Sequence, residues 1–465
     1  MRILIFHGYL LRGTGSNVYN SNLARALREL GHEVHLLCQD GDAAALPWVD
    51  GVGRWRGGEM IVDGEAGGDG SVTVYTPDIG GLLPVYVHDR YEGFEVKVFP
   101  DLSEAELDRY LRSNVAAVAE VAERAGGIDA ALANHVVMGP AILARAGLGC
   151  GFAAKVHGSA LEYTVRPHPQ RFLGYAREGM AAAAAVLVGS RHTAESLWRT
   201  IADPSLPAKT RLGPPGVETE AFRSRDPEQA AAELASLAGR LERAVTDDDA
   251  FGRDPRQAAA AIREFASRTP RVLYVGKLIP QKGVELLLEA WPAVAAANPE
   301  ASLLIAGFGE HEQELRRLAA DGVSFSGRLE HDEVAVAMGA ADALVVPSVF
   351  PEAFGMVAAE GAASGALPVC ADHSGLHEVA SRLAQALPAE IADLVAFPLG
   401  DDAPAQIAER LNRWLALPAA ERDSAGRALA GVVRERWSWE GVARGVIAAS
   451  AGDVSELPEV PGPDQ

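Results

Sequence analysis

Short apolar runs, each followed by a glycine-bearing polar loop and then by a stretch with helical spacing, recur along the chain. Ile3–Phe6 is such a run, Val18–Gly31 has apolar residues at helical spacing, and Glu33–Cys38 is the next apolar run. A strand, a glycine loop, a helix and a second strand predict a Rossmann-type unit whose loop lies at the carboxyl edge of the sheet. The loop Arg12–Asn17 is not GxGxxG, because Val18 occupies the third glycine position, so it gives little support for a dinucleotide site.

The same order returns in the second half of the chain. Arg271–Val275 predicts a strand, Gly276–Gly283 a loop and Val284–Ala297 a helix. Four further apolar runs predict strands: Ser302–Ala306, Val323–Phe325, Ala343–Val346 and Leu367–Cys370. The predicted fold class is therefore α/β, with two Rossmann-like doubly wound domains.

Turn residues at Gly213–Gly216 mark a domain boundary, and Asp226–Ser267 is helical and rich in charge. We expect an N-terminal domain at 1–213, a linker with a helical acidic insertion at 214–270, and a C-terminal domain at 271–436. For 437–465 we expect a helix that packs back toward the first domain, followed by a disordered tail.

Two carboxylates stand in an apolar setting. Glu352 follows the apolar run that ends at Val346, and Glu360 lies within Met356–Ser364, an almost uncharged predicted helix. Burial of an unpaired carboxylate costs several kcal/mol or more, so each is expected to have a partner. A ligand with hydroxyls for the carboxylates and an anionic part for the helix amides would provide it. Alternatively, Glu352 is a helix-start acid and Glu360 an ordinary buried salt-bridge partner.

Lys277 and Lys282 lie in the strand-to-helix loop that begins at Gly276. Two cations beside free helix amides at the carboxyl edge of a sheet can receive a phosphate or a diphosphate. The loop is not a Walker loop, since GxxxxGK[ST] is absent.

Three histidines, His7, His135 and His157, each follow a predicted strand. Open α/β sheets bind ligands at that edge, and His157 is the best functional candidate of the three. A zinc triad and simple loop capping are the alternatives left open by the sequence.

Composition excludes some classes of function. The net charge is −21 at pH 7, which argues against nucleic-acid binding and against an anionic membrane held by global charge. Three widely spaced cysteines favour a reduced, cytoplasmic protein, and neither a signal peptide nor a membrane-spanning run is expected.

Two charged segments have competing interpretations. Asp247–Asp249 matches a DxD metal motif, but it lies in a polar linker with no strand before it and is read as solvated charge. Arg166, Arg171 and Arg177 make their segment locally basic, which indicates a solvated helix face or, as the alternative, an acceptor-side or weak peripheral membrane contact.

Taken together, these motifs resemble the retaining glycosyltransferases of family 4, over almost the whole length of the chain. The matching stretches, in order, are Gly13–Asn17, His157, Pro215–Glu218, Gly276–Gly283, Glu352–Glu360 and Ser374–Glu378. Ala353 stands where the family commonly has glycine, and Lys277 stands where arginine is more usual. The resemblance implies a GT-B fold, in which two Rossmann-like domains face each other across a cleft.

The resemblance also implies roles. Lys277 and Lys282 would neutralise the departing diphosphate without a metal or other cofactor, Glu352 would bind sugar hydroxyls, and His157 would lie against the sugar on the acceptor side. The donor-binding residues that it implies are Gly15, Ser16, Gly276, Phe354, Gly355, Met356, Val357 and Glu360, the last of these on the ribose diol.

The implied reaction is transfer of a sugar from a UDP- or GDP-sugar to an acceptor hydroxyl, on a small molecule, a glycan or a lipid-linked compound. The alternatives are a nucleotide-sugar epimerase of the same fold, an inverting transferase with His157 as general base, a non-catalytic sugar-nucleotide binder, and a Rossmann oxidoreductase.

Overall fold

The computed structural model describes residues 1–13, 15–64, 67–87, 93–244, 254–455 and 457–460. The chain divides into two compact units: unit 1 comprises Met1–Gly216 and Trp439–Gln465, and unit 2 comprises Val217–Ser438. The Asp247–Asp249 run lies outside the described residues.

The strands of unit 1 are β1 (Arg2–Phe6), β2 (Glu33–Leu37), β3 (Gly51–Arg56), β4 (Glu59–Gly64), β5 (Ser71–Thr76), β6 (Leu82–Val85), β7 (Glu95–Val98), β8 (Ala130–Asn134), β9 (Phe152–Val156), β10 (Ala185–Val188) and β11 (Thr210–Leu212). Its helices, before the chain leaves it, are α1 (Gly15–Glu29), α2 (Glu104–Arg124), α3 (Gly139–Ala146), α4 (Pro169–Ala182), α5 (Arg191–Ile201) and α6 (Leu206–Lys209).

The strands of unit 2 are β12 (Arg271–Val275), β13 (Ser302–Ala306), β14 (Val323–Gly327), β15 (Ala343–Val346), β16 (Leu367–Ala371) and β17 (Ala396–Phe397). Its helices are α7 (Pro227–Arg243), α8 (Pro255–Ser267), α9 (Val284–Ala297), α10 (Glu312–Leu318), α11 (His331–Gly339), α12 (Met356–Ala363), α13 (Ser374–Ala384), α14 (Ala403–Leu415) and α15 (Ala419–Arg436). The chain then returns to unit 1 as α16 (Trp439–Ser450).

The main sheet of unit 1 has nine strands in the order β11-β10-β9-β8-β1-β2-β5-β3-β4. All neighbouring pairs in it are parallel except the antiparallel β3–β4 hairpin. Strand β1 lies between β8 and β2, so the strand order reverses beside it. This is the position where doubly wound sheets open a crevice at the carboxyl ends of their strands.

Both faces of the unit 1 sheet are buried, as expected for parallel strands covered by helices on each side. Leu4 and Phe6 pack into one core, whereas Ile3 and Ile5 point to the opposite core, because successive side chains of a strand alternate between its faces. Helix α16 contributes Trp439 and three smaller apolar residues to the second core.

The sheet of unit 2 is entirely parallel, in the order β14-β13-β12-β15-β16-β17. Numbered from its own first strand, this is the 3-2-1-4-5-6 order of the Rossmann fold. Its switch point lies between β12 and β15. The loops that follow these two strands carry the lysines and the acidic residues identified in the sequence.

The structure differs from the sequence-based domain outline in two places. The segment assigned to a linker contains α7 and α8, which pack Leu234, Leu237, Ile262 and Phe265 into the core of unit 2. Part of the expected disordered tail is ordered, since the amide of Leu212 donates to the carbonyl of Pro458. In both cases tertiary packing orders a segment whose local composition is polar.

Residues 51–64 form the β3–β4 hairpin, an element that the sequence pattern did not predict. It is ordered because β3 pairs in parallel with β5. The pairing of strands that are distant in sequence is not encoded in a local pattern.

Candidate active site

In unit 2 the lysine loop and the acidic loop are held together by their backbones. The carbonyl of Gln281 accepts hydrogen bonds from the amides of Val349 (3.0 Å) and Phe350 (3.2 Å). Gly283 has φ +62°, and a Cβ atom there would lie 2.1 Å from the carbonyl oxygen of Pro347. Only glycine allows this approach, which fixes the end of the lysine loop against the end of β15.

This contact brings Lys282 and Glu352 together. The Lys282 ammonium forms an ion pair with Oε1 of Glu352, and the hydroxyl of Ser348 donates to the same oxygen at 2.8 Å. The two charged side chains are 31% and 24% exposed, so a ligand can reach both of them. Because one carboxylate oxygen takes both bonds, the other oxygen is left for a hydroxyl ligand.

Lys277 stands at the start of the same loop, and its backbone is fixed by the hydroxyl of Tyr274, which donates to the Lys277 carbonyl at 2.9 Å. Gly276 lies just before it and donates its amide to the carbonyl of Ala306. The loop after β12 is thereby bonded on one side to the last residue of β13 and on the other to the loop after β15.

A third loop supports Glu352 from behind. The amide of Glu352 donates to the hydroxyl of Ser374 at 2.9 Å, and its carbonyl accepts from the amide of Gly375 at 3.0 Å. The ring of His373 is hydrogen-bonded through Nε2 to the carbonyl of Ser348, at 2.7 Å. No role was predicted from the sequence for Ser348 and His373 beyond their place after β15 and β16, whereas Ser374 lies in the family-like stretch Ser374–Glu378 without an assigned role.

Helix α12 presents its N-terminus beside this group. Gly355 precedes it with φ +109°, and a Cβ atom there would lie 2.6 Å from Leu376 Cδ2. Phe354 packs edge-on against Trp437 with ring centroids 5.2 Å apart. Ala358 is the first amide bonded within the helix, to the Gly355 carbonyl, so the amides of Met356 and Val357 lack an acceptor in their own helix.

Glu360 is the most unusual group of the site. It lies on the buried helix α12, is only 7% exposed, and has no hydrogen-bonding or ionic side-chain partner among the described residues. Burial raises the pKa of this carboxyl to about 8. The interpretation of Glu360 as an ordinary buried salt-bridge partner is therefore wrong for the described part of the chain.

In unit 1, His157 lies beyond the carboxyl end of β9 and is half-buried. Its Nε2 is 2.8 Å from Oδ1 of Asn134, which ends β8. Its ring meets Tyr19 edge-on at a centroid distance of 5.1 Å. Burial, together with the neighbouring basic groups His135 and Lys155, holds the pKa of His157 well below its ordinary value, so the ring is neutral at pH 7.

His7 and His135 lie beside His157, with ring centroids of His135 and His157 5.0 Å apart. His7 is hydrogen-bonded to Asn17 and Asn20, and burial lowers its pKa to about 4. His135 has φ +69° and neither of its ring nitrogens has a partner within the described residues. Within those residues, no three histidine, cysteine, aspartate or glutamate side chains are arranged to hold a metal ion, so the zinc-triad interpretation of these histidines finds no support.

The glycine loop of unit 1 is anchored from both ends. Gly15 begins α1, and the carbonyl of Ser16 accepts from the side chain of Asn20 at 2.8 Å. At the other end, the buried carboxylate of Asp40 accepts from the amide of Leu11 at 3.0 Å. An acid after β2 binds ribose in dinucleotide enzymes, but here it fixes the loop, which argues against the oxidoreductase alternative.

The three arginines of the basic segment have defined partners. Arg171 donates to the carbonyl of Pro100 and Arg177 to that of Ile201, while Arg166 pairs with Glu162. Arg171 and Arg177 therefore bind backbone within unit 1, and only Arg166 is paired with an acid of its own segment. No helix in the described ranges combines the length and the apolar character that are needed to cross a membrane.

Family comparisons agree with this geometry. Residues 14–208 match the glycosyl transferase 4-like domain, and residues 269–416 match glycosyl transferases group 1. These ranges fall in unit 1 and unit 2 respectively, and together they cover about three quarters of the chain. The chain belongs to the group 1 glycosyltransferases. The family resemblance drawn from the sequence motifs is thus confirmed.

Two solved members of this fold group show the same architecture. Anabaena Alr3699/HepE in complex with UDP and glucose superposes with a TM-score of 0.61 at 15% identity, covering 96% of this chain and 97% of that one. Starch synthase IV from Arabidopsis thaliana, bound to ADP and acarbose, gives a TM-score of 0.63 at 15% identity, covering 98% and 99%. The predicted fold class, α/β of GT-B type with two Rossmann-like domains, is confirmed.

Among the curated proteins that are similar in sequence is the GDP-mannose-dependent monoacylated alpha-(1-6)-phosphatidylinositol monomannoside mannosyltransferase of Corynebacterium glutamicum. It is 36% identical over 183 residues, which are 37% of this chain and 44% of that protein. The phosphatidyl-myo-inositol mannosyltransferase of Mycobacterium tuberculosis is 34% identical over 136 residues, 28% of this chain and 36% of its own length. The chain spans less than half the length of these curated relatives.

Proposed function

We propose that this chain is a retaining glycosyltransferase that moves a sugar from a UDP- or GDP-sugar to a hydroxyl of an as yet unidentified acceptor, without a metal ion. The observation that carries the proposal is that Lys282, Glu352 and the α12 N-terminus meet at the switch point of unit 2. On the same helix, Glu360 is buried and has no side-chain partner within the part of the chain that the structure describes. These groups match the parts of a nucleoside-diphosphate sugar.

The diphosphate has two sources of positive potential. Lys282 and Lys277 lie in the loop after β12, and the Met356 and Val357 amides lie at the positive end of the α12 dipole. Fixed positive groups aimed at a departing diphosphate stabilise the charge that develops there in the transition state. They provide this stabilisation in place of a divalent cation.

The carboxylates account for the hydroxyl-rich parts of the donor. Glu352 has one oxygen committed to Lys282 and Ser348, which leaves the other for sugar hydroxyls. Glu360 would accept hydrogen bonds from a ribose diol, which supplies the partner that its buried carboxylate lacks. Gly276, Phe354 and Gly355 shape the backbone around these groups.

Unit 1 would supply the acceptor side of the reaction. His157 is neutral and accessible at the carboxyl edge of the sheet, and Gly15 and Ser16 lie in the loop that would border the diphosphate. The curated relatives whose names give a donor and a lipid acceptor make GDP-mannose the first donor to test, and a lipid-linked or glycan hydroxyl the first acceptor class.

A donor panel tests the proposal directly. The full chain would be heated with GDP-mannose, UDP-glucose, UDP-N-acetylglucosamine and NAD, each with and without EDTA, and the unfolding temperature recorded. One sugar nucleotide is expected to stabilise the protein equally in both conditions, and NAD is expected to have no effect. Stabilisation by NAD alone, or stabilisation that EDTA abolishes, would overturn the proposal.

Products then separate the remaining alternatives. Incubation with the selected donor and candidate acceptors, followed by NMR of the anomeric proton, is expected to show the donor's anomeric configuration in the product. An inverted product would support the inverting alternative, and an epimerised sugar formed without acceptor would support the epimerase.

A further inference from the structure

A chain of buried polar side chains links the glycine loop of unit 1 to His157. Four side chains, each at most 2% exposed, lie between the glycine loop and His157: Asn17, His7, Asn20 and Asn134. They come from α1, from the end of β1 and from the end of β8, which meet at the switch point of the sheet. The direction of each hydrogen bond follows from the groups that can only donate or only accept.

The direction is set first at Asn17. Its Nδ2 donates to the carbonyl of Arg12 at 2.7 Å, so its Oδ1 is the atom that faces His7 Nε2 at 2.9 Å. His7 is therefore protonated on Nε2. Its Nδ1 lies 3.0 Å from Nδ2 of Asn20, an amide that also faces the carbonyl of Ser16 at 2.8 Å and Oδ1 of Asn134 at 3.1 Å.

The orientation of Asn134 is fixed in the same way. Its Nδ2 donates to the carbonyl of Phe6 at 3.1 Å and to Oδ1 of Asn20 at 2.7 Å, which uses both of its hydrogens. Its Oδ1 is therefore an acceptor, and it faces His157 Nε2 at 2.8 Å. A flipped amide would set its oxygen against the Phe6 carbonyl and lose both donated bonds.

We propose that Asn134 is a positioning residue that holds His157 in the tautomer protonated on Nε2, so that Nδ1 presents a lone pair to a bound hydroxyl group. In the opposite tautomer, the Nε2 lone pair would face the Asn134 oxygen at 2.8 Å, with no proton between them. The only hydrogen bond of the His157 ring within the described residues is the one at Nε2, which leaves Nδ1 for a ligand. A lone pair accepts from hydroxyls and repels phosphate oxygens.

A hydroxyl of the donor sugar and a hydroxyl of the acceptor could each donate to Nδ1, and the choice between them rests on the proposed function. The tautomer does not depend on the proposed function, because it follows from the internal hydrogen bonds. The tautomer and the source of the hydroxyl are therefore tested separately.

The tautomer is measured by long-range ¹H–¹⁵N correlation spectra of the full chain with ¹⁵N-labelled histidine, with His157→Gln identifying the signal by its loss. Wild type is expected to show a protonated Nε2 and an unprotonated Nδ1. Asn134→Leu, similar in size but without polar atoms, is expected to give a mixture of tautomers. Asn134→Asp loses the two bonds donated by Nδ2 but keeps an acceptor oxygen for His157, and it is expected to keep His157 Nε2 protonated.

Asn114→Leu is the matched control, because Asn114 is equally buried in unit 1 and its side chain donates to the carbonyl of Tyr110, on its own helix. It is expected to leave the His157 tautomer unchanged. A wild-type protein protonated on Nδ1, or an Asn134→Leu protein with the wild-type tautomer, would overturn the inference.

Kinetics supply the second readout once a donor and an acceptor are known. Loss of the hydrogen bond between His157 and residue 134 is expected to lower kcat by roughly tenfold or more in Asn134→Leu, with partial recovery in Asn134→Asp. A rise confined to the donor KM assigns the hydroxyl to the donor, and a rise confined to the acceptor KM assigns it to the acceptor. The wild-type tautomer in a protein that transfers no sugar would contradict the proposed function but uphold the role of Asn134.

Discussion

The ammonium group of Lys282 contacts the carboxylate of Glu352, although the two residues are 70 positions apart in the chain. The contact exists because β12 and β15 are neighbours at the switch point of the unit 2 sheet. The loops after these strands therefore meet, and backbone bonds from Val349 and Phe350 to Gln281 fix their separation. A cation for phosphate and a carboxylate for hydroxyls are thus placed side by side.

Lys282→Ala is expected to lower kcat/KM for the sugar nucleotide by at least about 100-fold, the usual cost of removing one preorganised electrostatic group. The substitution removes positive charge from the diphosphate position and leaves Glu352 without its cation. Initial rates and thermal stabilisation by the donor measure the effect.

Lys97→Ala is the control for this variant. Lys97 also pairs with a glutamate, Glu106, but it lies in unit 1 at the edge of the β6–β7 pair. It is expected to leave donor stabilisation unchanged. Equal losses in both variants, or full activity in Lys282→Ala, would count against a diphosphate role for Lys282.

Glu360→Gln is expected to stabilise the free protein and to weaken donor binding. The folded-state pKa is about 8, above the ordinary 4.5, so between these values the folded state keeps a proton that the unfolded chain has lost. Wild-type stability from this group therefore falls as pH rises from about 4.5 to 8, and the penalty is complete above pH 8. One pKa unit corresponds to about 1.4 kcal/mol. The free energy of unfolding of Glu360→Gln, relative to that of wild type, is therefore expected to be higher at pH 8 than at pH 4 by on the order of 3–5 kcal/mol.

Denaturant unfolding of unit 2 at several pH values checks this prediction. Glu333→Gln serves as the control, because Glu333 is also buried in unit 2 but its carboxylate accepts from the amide of Glu330. Because a glutamine at position 333 can also accept from that amide, this variant is expected to show no comparable gain in stability between pH 4 and pH 8. A Glu360→Gln protein that is no more stable than wild type at pH 8 would show that the carboxylate has an internal partner.

Donor binding is expected to release a proton at pH 7. Glu360 is mostly protonated in the free protein at this pH, and hydrogen bonds from a ribose diol to its carboxylate would favour the charged form. Titration calorimetry in buffers of different ionisation enthalpy measures the number of protons released. The value is expected to lie between about half and one in wild type and to fall toward zero in Glu360→Gln; an identical value in both proteins would contradict the assignment.

Gly283→Ala is expected to destabilise unit 2 by about 2–4 kcal/mol, because alanine at φ +62° is strained and its Cβ would overlap the Pro347 carbonyl. The displaced loop would also move Lys282 away from Glu352. Gly431→Ala is the matched control, since Gly431 lies within α15 and no atom lies within 4 Å of the added Cβ. That variant is expected to be more stable than wild type, by up to about 1 kcal/mol. A destabilised control or an unaffected Gly283→Ala protein, measured by denaturant unfolding, would contradict this account.

The local pattern of residues predicted much of the fold. The run Arg271–Val275, the loop after it and the helix Val284–Ala297 were predicted with the bounds that the structure shows, because strand and helix periods are local properties of the sequence. The repeat of this order in both halves predicted two doubly wound domains. The motifs around Lys282, Glu352 and Glu360 resemble those of a glycosyltransferase family, and this resemblance predicted one sugar-nucleotide site.

Tertiary structure decided which groups have partners. The sequence could not show that Glu360 lacks a partner among the described residues whereas Asp40 accepts from the amide of Leu11, since each is a single acid in or near a predicted element. Nor could it single out Asn134, whose importance comes from lying between β1, α1 and His157. Periodicity encodes the elements, but the choice of hydrogen-bond partner depends on strand order, which brings together residues more than a hundred positions apart.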